Sequence, residues 1–281
     1  MTESTLNFAE MLQKDVSEKL GKRLQDNGVK ILTIDIENSP SLAHVWGLWN
    51  NNVSLSQLME AGEVISFAAK WAGNDEVMFH SNFHDGHAAM IKRAYELVNE
   101  ADVIVGYNSQ GFDMKHLQRE FVVAGYAPTT PYKNVDLLHA VKRNFRFVSN
   151  KLDYVVQELK LGAKTQHAGH TLWVQCMAGD KDAWDKMREY NIQDVVITEK
   201  LYYRILPWIE KHPHMGMYLD ADKDRCPFCL STSFTEQEVS AKAYVSTYAL
   251  FRCDECSGLF KSTGRARVPD RLYNAKIKIS Q

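Results

Sequence analysis

Residues 31–39, ILTIDIENS, constrain the fold of this chain more than any other stretch. The β-branched run predicts a strand, so Asp35 and Glu37, two apart, project from one face at about 7 Å along the backbone. Two acids on one face of an otherwise apolar strand are costly unless they are solvated, paired or gathered round a cation. The sheet must therefore either end here with the acids facing water, or build a charged site over them.

The pattern around this strand is α/β. AHVWGLW (43–49), VISFAAKW (64–71) and EVMFHS (76–81) follow as candidate strands, which predicts an antiparallel meander. Residues 84–99 then read as a helix with Met90, Ala94, Leu97 and Val98 on one side. ADVIVGYN (101–108) predicts a buried strand ending in a turn, followed by a helix through MKHLQREFVVAG that stops at Gly125. A short strand over 133–137 precedes helices over 151–159 and 180–206. Such an order implies a mixed sheet flanked by helices.

Outside that domain, residues 1–27 predict an amphipathic helix carrying Phe8, Met11, Leu12, Val16 and Leu20. It either packs on the main domain or serves as a docking arm. Prolines, histidines and acids interrupt the pattern at 207–224, which assigns 28–210 to the main domain, 220–262 to a small module and 263–281 to a tail. The net charge of -2 gives no sign of a nucleic-acid partner, although an acidic site would offset basic residues elsewhere. No run approaches the ~20 apolar residues of a membrane span. The first residues lack the apolar core of a signal peptide, and the expectation is a soluble, cytoplasmic protein.

Two further patches carry acids. Asp113, in GYNSQGFD, falls near the start of the predicted helix, where it suits the helix dipole and can also act as a cap. Tyr190 and Asp194, in YNIQD, are four apart on a predicted helix and share a face. Each patch alone is common. In this order, a strand DxE, then NxxxFD, then a helical YxxxD, they resemble the 3'-5' exonuclease domain of the DEDD superfamily. They are most similar to the exonuclease domains of family B DNA polymerases and stand-alone phage-type nucleases. Those domains share a GYNxxxFD patch, here Gly106 to Asp113, and a stretch like KLDYVVQELKLGAK at 151–164. The resemblance runs from about residue 30 to 206 and is of the tyrosine (DEDDy) form, because position 189, where the histidine form places His, is Glu. Nothing after Leu206 resembles a polymerase palm, so the chain reads as a free-standing exonuclease or the exonuclease subunit of an assembly.

The resemblance implies an RNase H-like fold and two divalent ions, Mg²⁺ or Mn²⁺, acting on the attacking and leaving oxygens of an in-line displacement. It implies that Asp35 bridges both ions, that Glu37 and Asp194 complete one site, and that Asp113 serves the other. Tyr190 orients the attacking water; with a usual pKa of ~10 it suits positioning better than base catalysis. Asn108 either contacts the strand near the scissile end or simply forms the turn, and Phe112 either stacks on a base or fills the core. Lys151 and Lys164 either touch phosphates or are solvated. His80, His84 and His87, and the pair His167 and His170 in a Gly-containing loop, read as surface or loop residues.

Behind this domain, Cys226 and Cys229 in CPFC and Cys253 and Cys256 in CDEC are separated by 23 residues. Two CxxC knuckles at that distance predict a tetrahedral Cys₄ site for one structural Zn²⁺, a zinc ribbon whose strands are TSFTEQEVS and AYVSTYALFR. Lys261, Arg265, Arg267, Arg271, Lys276 and Lys278 against Asp270 make the tail basic, beside Tyr244, Tyr248 and Phe251. Contacts to single strands, docking of a polymerase or replication protein, and a solvated terminus all fit.

The expected activity is metal-dependent 3'-5' removal of nucleotides from single-stranded DNA in replication or repair, releasing nucleoside 5'-monophosphates. An RNA exonuclease and a non-catalytic adaptor working through the ribbon are the alternatives.

Overall fold

The computed structural model of this chain describes residues 16–162, 169–219, 224–243 and 246–264. Phe8, Met11, Leu12, Lys164, His167, Tyr244 and the basic residues beyond 264 lie outside them. The chain divides into two compact units, Gly21–Arg204 and a second comprising residues up to Leu20 and from Ile205 onward.

The first unit carries the predicted mixed five-stranded sheet with flanking helices, an RNase H-like arrangement. Its strands are β1 (Ile31–Asn38), β4 (Val64–Trp71), β5 (Met78–Ser81), β6 (Val103–Gly106) and β7 (Lys133–Asp136), in the order β5-β4-β1-β6-β7. β1, β4 and β5 pair antiparallel; β1, β6 and β7 pair parallel. The parallel half needs helical crossovers, supplied by α3 (His87–Glu100) before β6 and α4 (Asp113–Val123) before β7.

One face of β1 explains its register. Leu32, Ile34 and Ile36 pack with Phe67 and Ala69 of β4 against Met90, Ala94, Leu97 and Val98 of α3 and Met114, Leu117 and Phe121 of α4. Burial of each large apolar side chain is worth about 1.5–3 kcal/mol. A slip of one residue would exchange Ile34 and Ile36 for Asp35 and Glu37 in that core, so the register is strongly held. At the end of β1, Glu37 pairs with Ser66 but Asn38 pairs with Val64, which leaves Ile65 as the extra residue of a bulge.

AHVWGLW does not form a sheet strand. Only Leu42–Ala43 (β2) is extended, paired with β3 (Leu58–Glu60) in a separate ribbon, and Trp46 is 100% exposed. The apolar composition of this stretch suggests burial, but no layer of the first unit covers it. The helix expected from residue 84 is broken at Gly86 (φ +80) into α2 (Asn82–Asp85) and α3. The Ser81 hydroxyl caps α2 by accepting from the His84 amide at 3.1 Å. α4 stops where Gly125 (φ +79) turns the chain left-handed.

Beyond β7 come α5 (Leu137–Asn144), α6 (Leu152–Glu158), α7 (His170–Met177) and α8 (Lys181–Ile205). His170 thus opens a helix instead of sitting in a loop. In the helix of residues 16–27, α1, Gly21 meets Gly73 so closely that a Cβ at either position would strike the other's backbone.

In the second unit, β8 (Phe234–Glu236), β11 (Leu250–Cys253) and β12 (Leu259–Lys261) form an antiparallel sheet in the order β12-β11-β8, beside the hairpin of β9 (Ala241–Ala243) and β10 (Ser246–Tyr248). Val16 is buried with the four cysteines of this unit. Among the described residues, no helix is long and apolar enough to cross a membrane.

Candidate active site

The face of β1 opposite the core carries Thr33, Asp35 and Glu37, and Lys70, Ala68 and Ser66 of β4 lie beside them. Helix α8 lies over this face: Lys70 pairs with Glu199, and Asn191 bonds both Ser66 and Asp35. Tyr190 and Asp194 lie one helical turn apart on α8. Carboxylate oxygens of Asp35, Glu37 and Asp194 all come within 4.8 Å of one another. Ligand oxygens around one Mg²⁺ or Ca²⁺-sized ion lie about 3 Å apart side by side and roughly 4–5 Å apart across it, so three hard oxygen donors within this reach fit a divalent cation. Asp35 and Glu37 are half-buried, while Asp194 is 2% exposed.

Asp113 stands apart from that trio. Phe112 occupies the N-cap position, so Asp113 is the first residue of α4 and does not cap it. Its Oδ1 instead accepts from the Ile36 amide, between Asp35 and Glu37, at 3.1 Å. This is possible because β6 pairs with β1 only as far as Thr33, leaving that edge of β1 open beyond it. Burial pushes the Asp113 carboxyl up to about 7; the Ile36 amide works against this, and Asp136 adds to it. Burial, followed by Glu37, Asp194 and Asp35, holds the Tyr190 phenol well above its ordinary range, and the hydroxyl bonds Asp194. Tyr190 therefore keeps its proton and acts as a donor.

Two residues that sequence reasoning does not find hold this arrangement. Asn191 is fully buried on α8, and its Nδ2 donates to Asp35 Oδ2 at 2.8 Å and to the Asp35 carbonyl at 3.2 Å. Its Oδ1 accepts from the Ser66 hydroxyl at 3.3 Å. The only signal in sequence is a polar residue beside Tyr190 on a helix turned towards an acidic strand. Asp136, at the end of β7, is buried and accepts from the amides of Asn108 (2.9 Å) and Gln110 (3.1 Å), fastening the turn that leads to Asp113. It also caps α5 through the Leu138 amide at 3.0 Å.

Asn108 adopts φ +67 and its carbonyl accepts from the Gly111 and Phe112 amides, so it shapes this turn. Phe112 is 39% exposed and lies on His116 with ring centroids 4.5 Å apart, so it is not a core residue. Lys151 is exposed. His80 stacks on Phe67, His84 Nδ1 meets the Ser81 hydroxyl at 2.6 Å, and His87 approaches Glu120 at 3.4 Å. Among the described residues, no histidine joins a metal-binding group.

In the second unit the four cysteines form another group. Sγ atoms of Cys226 and Cys256 are 3.7 Å apart, and those of Cys229 and Cys253 are 3.5 Å apart. A tetrahedron with ~2.3 Å arms has edges of ~3.8 Å, so thiolates at this spacing suit zinc and are far too distant for disulfides. Each knuckle ends in a left-handed residue, Leu230 and Ser257, both at φ 61. Phe234, Phe251 and Phe260 pack together on the adjoining sheet. This cluster fits a zinc ribbon.

A family model described as the RNase H superfamily matches residues 57–206, more than half of the chain. The match includes Asp113, Tyr190 and Asp194, while Asp35 and Glu37 precede it. No curated protein matches the chain.

Proposed function

The chain belongs to the RNase H superfamily, and on that premise we propose that it is a DEDDy-type 3'-5' exonuclease acting on single-stranded DNA. Membership supports a nuclease-type hydrolase. The observation that carries the finer reading is the meeting of Asp35, Glu37 and Asp194 within 4.8 Å, beneath a tyrosine on the same helix.

In this reading Asp35, Glu37, Asp194 and Asp113 hold two Mg²⁺ or Mn²⁺ ions. Bound there, the ions supply positive charge for the attacking and leaving oxygens of an in-line displacement. Asn191 fixes the rotamer of Asp35. Tyr190, protonated and with its one O–H given to Asp194, orients the attacking water by accepting a hydrogen bond at its phenol oxygen. Asp136 and Asn108 set the turn that delivers Asp113, and Phe112, exposed beside it, offers a ring for the terminal base. Water attacks the last phosphodiester, the bond to the 3' oxygen of the penultimate nucleotide breaks, and a nucleoside 5'-monophosphate leaves. The cysteine group holds one Zn²⁺ that stabilises a module too small for a large core. Cysteine usage as two CxxC metal-ligand pairs and one lone Cys176 supports a reducing, cytoplasmic setting. DNA is preferred over RNA on the resemblance to polymerase exonuclease domains.

The test uses 5'-labelled single-stranded DNA, duplex DNA and RNA, each with Mg²⁺, Mn²⁺ or EDTA. A ladder shortening from the 3' end, dependent on metal and lost in Asp113→Ala, is expected. Internal cleavage at early times, or no digestion of any substrate, refutes the reading; faster digestion of RNA replaces DNA by RNA.

A further inference from the structure

We propose that residues 142–151, KRNFRFVSNK, form the track that grips the sugar-phosphate backbone of a single strand entering the candidate active site. Lys142, Arg143, Arg146 and Lys151 are all exposed, and no acid occurs from Leu137 to Leu152. Among the described residues no other stretch of ten carries four cations and no acid. In a chain of net charge -2 this local excess of positive charge is a feature that attracts an anionic strand.

Aromatic rings interleave with the cations. Phe145 and Phe147 are half-buried with centroids 5.7 Å apart and planes tilted by 51°, and Val148 between Phe147 and Ser149 is 92% exposed. Alternating cations and rings suit a strand whose phosphates are held by charge and whose bases find apolar surfaces without regard to sequence.

Position is the stronger argument. The turn that carries Asp113 is bonded to the start of the helix leading into the segment and to the segment's far end. Ahead of the segment, Asp136 caps α5, whose last residues are Lys142 to Asn144, and binds the amides of Asn108 and Gln110. At the segment's finish, the Tyr107 hydroxyl donates to the Asn150 carbonyl at 2.6 Å. A basic segment anchored through Asn150 to the turn that carries Asp113 is placed next to the candidate site, where it can take the backbone of a strand whose 3' end is presented there. The inference rests on the exonuclease reading only for what happens at the end of the track.

Binding is measured in EDTA, where no hydrolysis occurs, with short and long oligothymidylates across about 50–200 mM salt. The unaltered protein should bind the long strand better than the short one. In the combined variant Lys142→Gln, Arg143→Gln, Arg146→Gln, Lys151→Gln, affinity for the long strand should fall at least about tenfold and the salt slope by roughly 0.7 per cation lost. Arg146→Gln alone should show part of the same loss, and exchanging each Lys for Arg and each Arg for Lys should preserve affinity and slope. Lys92→Gln with Lys186→Gln should change neither. Unaltered affinity and slope in the four-fold variant overturn the track, as does equal competition by polyglutamate. Hydrolysis of the p-nitrophenyl ester of thymidine 5'-monophosphate reads the metal face separately. Ester hydrolysis with unaltered strand binding in the variant removes the track and leaves the catalytic reading. Length-dependent binding lost in the variant, with no hydrolysis by the unaltered protein, does the reverse.

Discussion

Asn191 Nδ2 donates to Asp35 Oδ2 at 2.8 Å, joining the middle of α8 to an acid of the carboxylate group on β1. A carboxylate in a group that could hold a divalent cation needs its plane held, and a fully buried amide bonded to Ser66 as well cannot turn freely.

Asn191→Ala should therefore weaken Mn²⁺ or Mg²⁺ activation about 10–100-fold while the protein still folds. Activity titrated against metal concentration reads this directly. An unchanged half-saturation would show that Asp35 is held by something else.

Asp136 matters through backbone amides. Asp136→Ala leaves the amides of Asn108, Gln110 and Leu138 without their carboxylate acceptor and should cost about 2–4 kcal/mol in denaturant unfolding. It also removes the neighbouring charge that raises the Asp113 carboxyl.

Tyr190→Phe should lower kcat about 10²-fold with little change in KM, since the lost hydroxyl acts at the reacting end. Because burial first, and the three acids after it, hold the phenol above its ordinary range, the pH–rate curve of the unaltered protein should show no break near pH 10 from this group. A break that vanishes in Tyr190→Phe would make the tyrosine a base.

Metal analysis should find about one zinc per chain. Cys253→Ser with Cys256→Ser should abolish it and lower the melting temperature of the second unit. Full zinc content in that variant would place the metal elsewhere.

His212 gives a pH dependence with a definite sign. Burial lowers its ring to about 4, with His214 adding to the effect. As pH falls from about 6.5 to 4, the unfolded chain takes up a proton that the folded ring refuses, so stability is complete above that window and drains away through it. His212→Gln should flatten the loss by up to about 2 kcal/mol, less than the full shift implies because part of the ring meets solvent. Parallel pH profiles of the two proteins would show that the ring titrates normally.

Strand β1, the helix bearing Tyr190 and Asp194, and the two cysteine knuckles are legible from local pattern, because each depends on spacing within a few residues. The misread elements fail for equally physical reasons. AHVWGLW has a strand's composition, but strand formation needs a partner edge, and the ribbon with β3 takes only its first residue, Ala43, with Leu42 before it. Phe112 has a core residue's chemistry, yet the turn set by Asn108 leaves it partly in solvent.

Alternation along ILTIDIEN and helical spacing in YNIQD are enough to say which side chains share a face, because side-chain direction follows from the backbone period alone. Which faces meet is another matter. The pairing of Asn191 with Asp35, 156 residues away, and of Asp113 with the Ile36 amide, 77 away, arose only when β6 parted from β1 and α8 settled on the opposite face. Contacts of that span depend on the packing of the entire sheet, and no local period encodes them.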